Sequence, residues 1–219
     1  MYFSLPFLNY IYRIGLWLVA ILFVIDILAF FYYPDTIFGD IFLATREQTP
    51  LTWLSALAMF FVAISSFSIY FNTKKKIWYF LSVVFFFFSV DDATYLHERL
   101  SGFLVDNTTI LSSFPSYIWV VLYSPLLLFA LGAIIYLLWR DSNNVTKKFI
   151  LASVILLGFA IFLDLLDGLI QKESSLVFCL ENFCNKIVLH TMRLTEEVIE
   201  VIALGIIGYV NIREHLIDK

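Results

Sequence analysis

The chain has 219 residues, of which 61% are apolar, 19% aromatic and only 15% charged, with a mean hydropathy of +0.89 and a net charge of −4. A soluble globular domain does not carry that composition, and nothing in it resembles a nucleic-acid reader. The fold class expected is all-α: a polytopic membrane protein built as a six-helix transmembrane bundle, forming one domain over residues 1–219.

Six apolar runs are long enough to cross a hydrocarbon core of roughly 30 Å. They lie at about 13–33, 51–71, 77–97, 116–139, 149–170 and 187–210. The first is long, aromatic and followed by no small-residue cleavage site, so it reads as a span and not as a cleaved signal peptide. It carries Asp26 past its middle and stops at Pro34, a residue that ends helices. A polar loop with Asp35, Asp40, Arg46 and Glu47 leads to Pro50 and the second span, where Trp53 suits an interfacial belt.

Lys74, Lys75 and Lys76 follow the second span, and lysines clustered beside a span stay cytoplasmic. Arg13, Arg140, Lys147, Lys148, Arg213 and Lys219 fall on the same side, which takes nine of the fourteen basic residues. Both termini are therefore expected in the cytoplasm, and the compartment expected is a bacterial inner membrane.

That orientation brings the acids of three spans to one depth, the extracytoplasmic end. The third span ends in Asp91-Asp-Ala-Thr-Tyr-Leu-His-Glu-Arg99, and on one continuous helix Asp91, Tyr95 and Glu98 share a stripe. The fifth span brings Asp164 and Asp167. On the sixth, taking Arg193 as zero, His190, Glu196, Glu197 and Glu200 fall at about +60°, −60°, +40° and −20°. That stripe is expected to face the bundle interior, with Val198, Ile199, Ile202 and Ala203 opposite. Helix four carries Pro125, where a kink is expected. Asp26, Asp91 and Asp164 in the later halves of alternate spans hint at a triplicated hairpin.

Eight acids opposed by Arg99 and Arg193, with His97 and His190 able to take protons, leave a formal deficit of six. Like charges at low dielectric must protonate, meet water or hold a cation. The metal-ligand candidates are Asp91, Asp92, His97, Glu98, Glu197 and Glu200; Asp164, Asp167 and Glu196 are the candidate catalytic acids or bases. Oxygen with one or two imidazoles suits a divalent metal ion. Arg193 with Glu197 is a candidate structural ion pair. Cys179 and Cys184, in the third outer loop, are a candidate disulfide.

Arg46-Glu47 with Pro50-Leu-Thr-Trp53, then Ser89-Val-Asp-Asp-Ala-Thr-Tyr-Leu-His97-Glu98, the acidic end of span five before Gly168, and Glu196-Glu197 with Glu200 together resemble a group of small multispan bacterial membrane proteins of unassigned function. The resemblance implies that these positions belong to one site and brings no activity with it. A looser likeness links intramembrane acids and histidine to the membrane hydrolases that include alkaline ceramidases, but this chain has six runs, no paired-histidine motif on its last span and no obvious serine partner.

Three functions follow as expectations. The first is an outward-facing intramembrane cation site, in its enzyme form a metal-dependent membrane hydrolase in which bound metal activates water and a spare carboxylate serves as base. The second is a cation or proton channel or transporter, as a homo-oligomer, because the cytoplasmic halves offer Ser65, Ser66, Ser68 and Tyr136 but no ionisable group to carry a path through one protomer. The third is a sensor or anchoring subunit recruiting a cytoplasmic partner protein through Lys74–Lys76, the 140–148 loop and the tail. The lipid bilayer is the partner common to all three.

Overall fold

Several helix ends have a local cause. Thr49 caps the helix that begins at Pro50, its side chain accepting from Thr52 N–H while proline at the first position gives up a donor that would have no partner there. That helix ends at Lys74, whose left-handed backbone (φ 56°) lets its N–H close onto Tyr70 C=O. Thr36 caps a short helix in the same way, its oxygen accepting from Gly39 N–H.

The computed structural model describes residues 5–44, 49–107, 118–141, 144–172 and 182–213. The described residues form helices only: α1 (Leu5–Tyr32), α2 (Ile37–Phe42), α3 (Pro50–Thr73), α4 (Lys76–Thr94), α5 (Leu96–Asn107), α6 (Ile118–Asp141), α7 (Asn144–Lys172) and α8 (Asn182–Ile212). Four of them, α1, α3, α4 and α7, are long and apolar enough to cross a membrane, and α6 holds a shorter apolar stretch, Leu122–Tyr136. Pro125 sits inside α6 without ending it.

α3 and α8 form the centre. α3 packs most closely on α4, and α8 lies against α7, α3 and α1. Cross-helix bonds fix the directions. Thr52 meets Glu197 and Ser66 meets Asn211, so α3 and α8 run parallel. Ser55 meets Asp92, Arg193 meets Asp167 and Asn9 meets Tyr209, so α4, α7 and α1 run antiparallel to that pair. The core between them is aliphatic and aromatic: Val62, Ile69, Trp78, Leu81, Ile134, Ile150, Leu204 and Ile207 are all but fully buried. Outward faces such as Trp17, Phe31, Phe86, Leu128 and Phe162 are exposed and apolar, as a bundle in lipid requires.

The third apolar run departs from expectation, because it is not a continuous helix over 77–97. α4 stops at Thr94, Tyr95 takes a left-handed conformation (φ 55°, ψ 36°), and α5 starts at Leu96. The Thr94 hydroxyl bonds back to Val90 C=O, and Tyr95 N–H closes onto Asp91 C=O, so the last turn is satisfied from within. Asp91, Tyr95 and Glu98 therefore do not share one helical stripe. Arg46, Glu47 and Cys179 lie outside the described residues, as do the side chains of Glu98 and Cys184.

Candidate functional site

Asp91 is at the centre of the first group. Its Oδ2 lies 2.7 Å from His97 Nδ1 and its Oδ1 accepts from Tyr123 OH at 3.0 Å. On an unbroken helix residues six apart point about 240° from one another. The turn at Tyr95 is what folds His97 back onto Asp91, and the imidazole then rests against the Trp119 ring, 4.8 Å between centroids. Tyr123 and Trp119 come from the first turns of α6.

The second group is strung along the α3 and α8 seam. Ser55 donates to Asp92 Oδ2 at 3.0 Å and lies beside Glu200. One turn earlier, Thr52 donates to Glu197 Oε1 at 3.2 Å, while Glu197 Oε2 is buried with no hydrogen-bond partner among the described residues. Glu200 interacts electrostatically with Asp92, Glu197 and Asp164, and Glu196 with Asp164, Asp167, Glu197 and Glu200. Arg193 clasps the far side, its Nε and Nη2 both donating to Asp167 Oδ2 at 3.0 and 2.9 Å. Its charge also reaches Glu197, the partner expected from sequence, but the fork is given to Asp167.

Asp91, Asp92, Asp164, Asp167, Glu196, Glu197 and Glu200 thus meet at one end of the bundle, brought there by α4, α7 and α8. Arg193 is a positive group whose field reaches Glu197, and His97, positive when protonated, lies close enough to act on Asp92. Of the expected metal ligands, Asp91 and His97 pair with each other, and Asp92, Glu197 and Glu200 face α3. Among the described residues no group of three or more His, Cys, Asp or Glu side chains is arranged to hold a metal ion. What the arrangement offers chemically is an acidic chamber, a cluster of carboxyl oxygens bordered by Ser and Thr hydroxyls.

His190 is not part of it. Its Nε2 lies 2.7 Å from Asp26 Oδ1, the ring stacks on Phe30 at 4.1 Å, and the other Asp26 oxygen accepts from Ala44 N–H. Both residues are nearly sealed, Asp26 2% and His190 4% exposed. This pair ties α1, α8 and the segment after α2 together, and among the described residues no hydrogen bond joins it to the carboxylate chamber.

A search for ionisable groups passes over Thr52, Ser55 and Tyr123, which hold three of the acids: they are uncharged residues in apolar runs. So is Asn211, buried against Ser65 and Ser66 at the opposite end of the seam, with Nδ2 to the two hydroxyls at 3.2 and 3.4 Å. On α3 the hydroxyls at 52, 55 and 66 do fall within about 60° of one another around the helix, a pattern that Tyr123 and Asn211, on other helices, lack.

Fold and site together define an all-helical protein of membrane type with a buried acidic chamber. Residues 13–212 match the family model DUF8692, a domain of unknown function, and the chain belongs to that family. No curated protein and no solved structure matches it.

Proposed function

We propose that this protein is a six-span membrane protein of a bacterial inner membrane, both termini cytoplasmic, whose extracytoplasmic carboxylate chamber binds a small cation. The observation that carries the reading is the pair of bonds from α3, Ser55 to Asp92 and Thr52 to Glu197, which hold acids of two other helices on one wall. Asp164 and Glu196 add two more carboxyl groups to the same cluster. Acids used only to fasten helices would be matched by bases. Here, among the described residues, seven carboxylates face one guanidinium and one imidazole, and buried negative charge in that excess calls for protons or a cation.

The hydroxyl and carboxylate oxygens suit hard cations. Asp92, Glu197 and Glu200 do not converge on one point in this structure, so they would close on the ion as it binds, with His97 as a flanking group. Calorimetric titration of the detergent-purified full chain with Na⁺, K⁺, Mg²⁺, Ca²⁺, Mn²⁺ and Zn²⁺ tests this. Saturable uptake of at least one ion, weakened about tenfold or more in a Glu197→Gln, Glu200→Gln variant, is expected. A folded wild-type chain that takes up none of them overturns the reading.

A further inference from the structure

The seam between α3 and α8 keeps one register for its whole length. Thr52 bonds Glu197 at an offset of 145 residues, and Ser66 bonds Asn211 at the same offset of 145. Ser55 beside Glu200 fits it too. From Ser55 to Ser66, and from Glu200 to Asn211, the step along a helix returns to within about 20° of the same face and rises about 16 Å. The chamber therefore has a polar counterpart directly below it on the same two helix faces.

That lower node is closed and incompletely satisfied. Ser65, Ser66 and Asn211 are 2%, 1% and 1% exposed. The Asn211 amide donates to both hydroxyls and Ser65 donates to Val62 C=O, which leaves Asn211 Oδ1 buried with no hydrogen-bond partner among the described residues. A buried carbonyl oxygen left without a donor is destabilising, and water or a cation satisfies it. Between node and chamber lie Val62, Leu204 and Ile207, each at most 2% exposed. They form an apolar plug between the two.

We propose that the Asn211, Ser65 and Ser66 node is a second, inner station for the ion held by the chamber, and that the α3 and α8 seam is its route, shut in this state by Val62, Leu204 and Ile207. This rests on the proposed function and narrows it to a class of ion. The node has oxygens but no carboxylate, and a divalent ion stripped of water would not be compensated there. The species that fits presents a single positive charge to Asn211 Oδ1: hydronium or an alkali ion. Side chains of the plug must part for passage, so the route works by alternation of two seam arrangements and not as an open pore.

The test uses the full chain in liposomes, with an interior pH dye in one arm and an interior Na⁺ or K⁺ dye in the other, alongside calorimetric cation titration of the same preparations. Expected is flux in one arm for wild type, cut about tenfold or more by Asn211→Leu with cation uptake by the chamber intact. Ser65→Ala with Ser66→Ala gives a milder version in case Asn211→Leu fails to fold, and Val62→Trp, which overfills the plug, should block flux outright. Wild-type flux in a folded Asn211→Leu or Val62→Trp chain overturns the route while leaving the chamber. Cation uptake without any wild-type flux does the same. Loss of uptake in wild type itself is instead the failure of the proposed function.

Discussion

His97 Nδ1 stands 2.7 Å from Asp91 Oδ2 because the helix ends between them, at Tyr95. The left-handed conformation costs a residue with a Cβ about 1–2 kcal/mol, and a β-branched residue more. Tyr95→Gly keeps the turn and is expected to preserve the contact, whereas Tyr95→Val favours extending α4 and pulls His97 off Asp91. Ring-nitrogen chemical shifts of labelled His97 report the difference; an unchanged contact in Tyr95→Val would show that the turn does not set it.

Removing the Asp26 carboxylate strands two buried groups at once, Ala44 N–H and His190. Asp26→Ala is expected to cost about 1–3 kcal/mol, since a buried donor left without its acceptor keeps its full desolvation penalty. Asp26→Asn keeps an acceptor oxygen for Ala44 and is expected to cost less than half as much. Unfolding of the purified chain by denaturant gives both values.

Lys74 ends α3 with φ at 56° and an exposed side chain whose ammonium lies 5.0 Å from the Phe71 ring centre. Lys74→Gly relieves roughly 1 kcal/mol of backbone cost and forfeits about 0.5 kcal/mol of exposed cation–π attraction. A small net gain in thermal stability is expected. A loss larger than about 1 kcal/mol would contradict it.

Leu96, Leu100 and Phe103 form one exposed stripe on α5, and α5 begins two residues after a helix long enough to span the membrane. An amphipathic helix so placed lies in the lipid interface. Nitroxide labels at 100 and 103 are expected to favour oxygen over a water-soluble nickel relaxant, with the reverse at Gly102, which is exposed on another face. Equal nickel access at all three would contradict an interfacial helix.

The helical class and most of the bundle were legible in the sequence because apolar runs of about 20 residues have few other uses. The acidic stripe of α8 was legible too, since 3.6-residue periodicity places Arg193, Glu196, Glu197 and Glu200 together without any knowledge of the partner helices. What the sequence hid was how the chain turns at Tyr95, because a left-handed tyrosine has no composition signal. It hid the choice of Asp167 by Arg193, which depends on how α7 and α8 are rotated. It also hid Asn211: an uncharged amide carries no weight in a search for ionisable groups, yet its burial against Ser65 and Ser66 changes what the inner half of the seam offers.

If the seven acids share their charge with a bound cation, protons and cations compete for the same oxygens. The most direct measurement follows proton release into weakly buffered solution as cation is added to the purified full chain. Protons released in step with saturable uptake are predicted, with release that shrinks in the Glu197→Gln, Glu200→Gln chain. Uptake of cation with no proton release, unchanged by those two substitutions, would place the ion elsewhere and contradict the chamber as its site.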